Sequence, residues 1–166
     1  VKRLSAVPLL TLTAAASSAV TPFTFAHVSD THIAAGGTAD TNLQAAIGEF
    51  NGMDPRPAFV IHTGDVTEMG VDSEFERYKS DVAGAMMPIH HSPGNHETRW
   101  SDNSINRHIA QLGPTSISFL HNGVRFIGFN AAIWLEHHGA ASGDTRRWIV
   151  EQLAQDPPGT PAVLFT

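Results

Sequence analysis

Three short polar motifs, each placed directly after an apolar run, constrain this chain more than any other feature. Asp30-Thr31-His32 follows Phe23-Thr24-Phe25-Ala26-His27-Val28, and Gly64-Asp65 follows Ala58-Phe59-Val60-Ile61. Gly94-Asn95-His96-Glu97 follows the run that opens at Pro88-Ile89-His90. Asp30 and Asp65 lie 35 residues apart, and Asp65 and Asn95 lie 30 apart. Each interval is long enough for one strand-helix-strand unit with parallel strands. Helical patterns occupy both intervals. Asp40 or Thr41 can cap a helix carrying Leu43, Ala46, Ile47 and Phe50, which Pro55 and Pro57 stop. Asp72 or Ser73 opens a second helix through Phe75, Tyr78 and Val82. The class is therefore α/β. Ligands of such sheets bind outside the carboxyl ends of the strands, so the three motifs should converge on one edge.

The rest of the chain changes character. Asn106 to Leu112 reads as a helix that stops at Gly113-Pro114. Ser116 to Leu120 and Val124 to Phe129 flank Asn122-Gly123, the pair that suits a type I′ turn, so a β-hairpin is predicted. Asp144 is expected to cap a helix carrying Trp148, Ile149 and Leu153, and Ala162-Val163-Leu164-Phe165 reads as a further strand before Thr166. At the other end, Lys2 and Arg3 precede an uncharged stretch with Leu9, Leu10 and Leu12 and then the small residues Ala14 to Ala19. Residues 1–20 are thus expected to be a signal peptide or flexible leader, with export to a periplasmic or extracellular space. The run is too short for a stable bilayer-spanning helix.

Composition narrows the chemistry. The chain has no Cys, which excludes disulfides, thiolate metal sites and Cys nucleophiles. Lys plus Arg is 10 against 16 Asp plus Glu, and a net charge of -6 argues against sequence-independent nucleic-acid binding. Histidine is unusually frequent at 10, and imidazole is the commonest metal ligand. In the motifs, Asp30 and Asp65 offer anionic oxygens, Asn95 an amide oxygen and His32 a ring nitrogen, a mixture suited to hard or borderline divalent cations. Gly64 and Gly94 permit sharp turns that carry the next side chain inward without a Cβ clash. Singly, each motif is common by chance. Their order, spacing and matching places after apolar strands carry the signal.

Together the motifs resemble the first three of the calcineurin-like metallophosphoesterases, over about Phe23 to Thr166, with Gly94-Asn95-His96-Glu97 the most specific block. The resemblance implies the N-terminal part of a double β-sandwich flanked by helices, with a domain over 21–166. It implies two divalent metal ions, Mn, Fe or Zn. Asp30 and His32 would hold the first, Asp65 would bridge both, and Asn95 would hold the second. His96 would be the catalytic histidine, with Glu97 orienting it. The activity implied is hydrolysis of a small phosphate mono- or diester by a metal-bridging hydroxide. The alternative is a noncatalytic binding scaffold of the same fold.

The resemblance also implies further histidines, including a Gly-His-x-His motif that this sequence lacks. The domain is therefore expected to be incomplete at its C-terminus and the chain alone to be inactive. His137-His138 falls in a loop where it either approaches the site or is an exposed pair. His62 reads as packing or as support behind the site. Arg99 and Trp100 read as substrate contacts or as surface residues. Glu68 stands where purple acid phosphatases place a tyrosine ligand. The run Glu68-Met69-Gly70 also lacks the arginine that protein phosphatases carry there.

Overall fold

Strands of a parallel sheet are buried on both faces, and the central predicted strand shows it. Val60, Ile61 and His62 are each 2% exposed or less. In a computed structural model, which describes residues 19–100 and 103–166, this strand lies between two parallel neighbours. The first half of the chain runs β1 (Ala26–Val28), α1 (Ala39–Gly52), β2 (Val60–Thr63), α2 (Asp72–Val82) and β3 (Ile89–Ser92). The sheet order is β1-β2-β3, with Ala26 beside Val60 and Val60 beside Ile89. The second half continues with α3 (His96–Arg99), α4 (Ser104–Leu112), β4 (Ile117–His121), β5 (Val124–Gly128), α5 (Gly143–Leu153) and β6 (Ala162–Phe165). Its sheet has the order β4-β5-β6, antiparallel and then parallel.

Two apolar layers hold these parts. Leu43 and Ile47 of α1 and Tyr78 of α2 pack on Ile33 and Val66, residues of the loops that follow β1 and β2. The helices therefore clamp the loops that carry the first two motifs. Between the sheets the filling is aromatic. Phe59 meets Phe126 edge-on at 4.9 Å and Phe119 at 5.2 Å, and Phe165 closes the same cluster. Such edge-to-face pairs contribute about 0.5–1.5 kcal/mol each beyond their burial. Two packed sheets with helices outside them match the expected architecture.

Several boundaries differ from the predicted ones for local reasons. The hairpin forms as expected, with Asn122 at φ 47 and Gly123 at φ 84. The helix α5 is capped by Ser142, not Asp144: Ser142 Oγ accepts from the Thr145 amide at 3.0 Å, while Asp144 sits in the first turn and pairs with Arg147. The helix α4 begins at Ser104, ahead of Asn106. β1 is shorter than the apolar run before it, because Phe23 and Phe25 serve the aromatic layer. α3 was not foreseen: four residues are too few to show a helical period. Residues 1–18 of the expected leader lie outside the described residues. No helix among the described residues is long and apolar enough to cross a membrane.

Candidate metal centre

The three motifs do converge at the C-terminal ends of β1, β2 and β3, and backbone geometry shows how closely. Gly64 has φ +85, and a Cβ there would lie 2.6 Å from the Gly94 backbone. A Cβ on Gly94 would lie 2.1 Å from Asp65 Oδ1 and 2.4 Å from the Asp65 nitrogen. The second and third motifs are thus pressed together where no side chain fits. Beyond the glycines, Asp30, His32 and Asp65 have φ values of 55, 46 and 51. Non-glycine residues held in the left-handed region cost of order 1–3 kcal/mol each and cluster at functional sites. The surroundings enforce this strain through a ladder between loops: Asp30 N to Gly64 O at 3.1 Å, His32 N to Asp65 O at 2.9 Å, and Ile33 N to Val66 O at 3.0 Å.

Asp65 is the hub of the side-chain geometry. On one side, its carboxylate and ring nitrogens of His32 and His96 all lie within 4.8 Å of one another. On the other, Asp65 lines a cleft of about 260 Å³ together with Asp30, Asn95, His137 and His138. Asp65 Oδ1 also accepts the His96 amide at 2.9 Å, which holds it in place. Asp30 is open to solvent, 3.8 Å from His32 Nε2. Asn95 sits at the start of α3 but makes no side-chain cap bond. Its amide is therefore not committed to a helix end.

This donor set fits a divalent cation. Carboxylate and imidazole atoms are gathered within one coordination sphere's reach. His32 Nδ1 is buried without a hydrogen bond, although Glu68 Oε2 lies 3.1 Å away in poor geometry for one. A buried ring nitrogen without a partner, beside carboxylates, is what a cation would satisfy. The cluster differs from the expected pairing in one respect: His96 joins His32 and Asp65 in it, with the His32 and His96 rings 4.5 Å apart.

The protonation of His96 follows from its neighbour. Its Nδ1 faces the Glu68 carbonyl at 2.7 Å, and a carbonyl only accepts. The proton therefore sits on Nδ1, and Nε2 is left for a ligand or for proton transfer. Glu97 does not do the orienting expected of it. Its carboxylate is buried and accepts from Thr67 N at 3.0 Å, Thr67 Oγ1 at 3.1 Å and Gly94 N at 2.9 Å. Burial pushes the Glu97 carboxyl above the usual carboxylate range, against the pull of those hydrogen bonds. Glu97 thus fastens the second motif to the third. Besides Asp65, the carboxylate that reaches both histidines is that of Glu68, 3.1 Å from His32 and 3.9 Å from His96. The sequence reading missed this role. Its signal was position: Glu68 is three residues past Asp65, in the same loop.

His62 supports the site from behind. Thr31 Oγ1 donates to Val66 O at 2.9 Å, so it accepts from His62 Nε2 at 3.0 Å. The loop bearing Asp30 and His32 is thereby tied to β2.

Carboxylates and imidazoles are thus gathered on strained turns at the ends of parallel strands as a candidate cation site. The chain belongs to the calcineurin-like phosphoesterase family, whose model matches residues 23–164. It is 28% identical over 143 residues to a probable glycerophosphodiester phosphodiesterase of Arcobacter nitrofigilis, covering 78% of this chain and 51% of that protein. It is 24% identical to a cAMP/cGMP dual specificity phosphodiesterase of Mycobacterium tuberculosis, covering 80% and 45%. A probable cyclic nucleotide phosphodiesterase of Rhodococcus erythropolis is 27% identical, with 80% and 48% covered. The chain therefore spans about half the length of the curated relatives it matches. Among solved structures, purple acid phosphatase PPD1 from yellow lupin shares the fold, with a TM-score of 0.56 and 13% identity over 83% of this chain and 29% of that one.

Proposed function

We propose that the protein is a metal-dependent hydrolase of small phosphate mono- or diesters. The position of Asp65, shared between the His32–His96 cluster and the cleft that holds Asp30 and Asn95, carries this reading. A carboxylate in that place can bridge two cations, His32 can complete one position with Asp30, and Asn95 can serve the other. Divalent cations held there, Mn, Fe or Zn, would supply the Lewis acidity that acidifies a water and stabilises charge on the phosphoryl oxygens. His96 contributes from the protein side: with Nδ1 held by the Glu68 carbonyl, its Nε2 is the atom that steadies or protonates the departing oxygen. Glu97 holds the loops in register. The relatives named as phosphodiesterases favour a diester. Export, suggested by the pattern of residues 1–20, belongs to the same proposal, and the mature N-terminus of the secreted protein tests it.

The decisive experiment loads the full-length protein with Mn and measures bound metal together with bis(p-nitrophenyl) phosphate hydrolysis, in wild type and His96→Ala. The hydrolase reading expects about 10²–10⁴-fold slower turnover in the variant. Wild-type protein that binds metal but turns over no phosphate ester sinks it in favour of a noncatalytic scaffold.

A further inference from the structure

The far side of the cleft carries histidines where the near side carries Asp30 and Asp65. The loop between β5 and α5 docks on α3: Leu135 N donates to Thr98 O at 3.4 Å, and Arg99 Nη1 meets His137 Nδ1 at 2.5 Å. A guanidinium has only donors, so His137 Nδ1 must accept. The ring proton of neutral His137 is then on Nε2, which has no partner among the described residues. Arg99 is itself held, its guanidinium 4.3 Å over the Trp100 ring. His137 and His138 line the same cleft as Asp30, Asp65 and Asn95. One wall of the cleft thus offers cation ligands, while the other offers an N–H whose tautomer is fixed by a guanidinium.

We propose that His137, positioned by Arg99, donates Nε2–H to a non-bridging oxygen of the bound phosphate ester. This inference rests on the hydrolase reading for its ligand, an oxyanion seated between the metals and this loop. Arg99 acts through His137 as a positioning residue, which leaves the Nε2–H free to donate to an anionic phosphoryl oxygen.

The test is calorimetric titration of inorganic phosphate into the Mn-loaded full-length protein, with metal content measured on each sample and KM for bis(p-nitrophenyl) phosphate alongside. His137→Ala should weaken phosphate binding about tenfold, the worth of one charge-assisted hydrogen bond, with metal content equal to wild type. Arg99→Ala should lose a similar factor, and the double variant little more than either, because the two residues form one contact. Arg99→Lys keeps a donor toward Nδ1 and should restore most of the affinity. Unchanged phosphate affinity in His137→Ala overturns the proposal. So does a loss of metal in step with phosphate, which would make His137 a metal ligand. Phosphate binding that depends on His137 in a wild type without turnover would reject the hydrolase reading and leave this one standing.

Discussion

Behind the metal centre, three imidazoles are buried side by side, and they should make the fold fail in acid. Burial pushes His62 and His91 down from 6.5 to about 3 and His108 to about 4, and repulsion from neighbouring histidines adds to the shift for His62 and His91. The sign follows from linkage. The unfolded chain takes up these protons near pH 6.5, while the folded protein refuses them until far lower pH. Stability is therefore full above 6.5 and is lost as pH falls toward 4 and then 3. Each group costs about 1.4 kcal/mol per pH unit inside that window, so the three together cost about 4 kcal/mol per unit. Glu97 opposes them, because its raised carboxyl binds a proton more readily when folded; it offsets about one of the three just above pH 4.5. Falling from pH 6.5, about 6 kcal/mol is lost by pH 5 and about 10 kcal/mol by pH 4, so a domain in the lower half of the usual range of about 5–15 kcal/mol should unfold near pH 4–5. The assay is urea denaturation at pH 7.5, 6.5 and 5.5 on wild type and His108→Leu. His108 is fully buried, and neither ring nitrogen has a hydrogen-bond partner among the described residues. Leucine should raise stability at pH 7.5 by about 1–2 kcal/mol and remove about a third of the acid slope. Wild-type midpoints that are flat from pH 7.5 to 5.5, or an unchanged slope in the variant, would refute the reasoning.

Three further outcomes follow from the geometry. Gly94→Ala places a Cβ 2.1 Å from Asp65 Oδ1, and Asp65 must move, so Mn affinity measured by calorimetry should fall at least about tenfold. Glu68→Gln removes the carboxylate beside His32 and His96 and should lower metal affinity or turnover about 10–100-fold while the far-ultraviolet circular dichroism stays unchanged. Away from the site, Arg125 of β5 forms a two-bond pair with Asp156 at 2.6 and 2.8 Å; Asp156→Ala leaves a poorly exposed guanidinium with Ser118 as its one side-chain partner among the described residues and should cost about 2–3 kcal/mol in urea unfolding.

Much of the architecture was open to a reader of the chain because local patterns carry it. The intervals between the motifs required parallel strand-helix-strand units, and the structure contains them. Asn122-Gly123 specified its turn through the positive φ both residues accept. Helix starts were less legible, since Ser142 and Asp144 both suit a cap and only the path of the incoming backbone chooses between them. The motif residues were legible one by one through their side-chain chemistry, and their order and spacing named the family.

What the chain alone determined, then, is which residues are present at the ends of which strands. Tertiary structure decided their partners. Glu97 follows His96 in sequence, yet its carboxylate turns to Thr67 and Gly94, while Glu68 reaches His96 from another loop. Arg99 and His137 meet only because the β5–α5 loop folds onto α3. The physical reason is range. Periodicity, turn preference and motif spacing act over a few bonds along the backbone, whereas hydrogen bonds and metal ligation depend on ångström distances between segments some thirty residues apart.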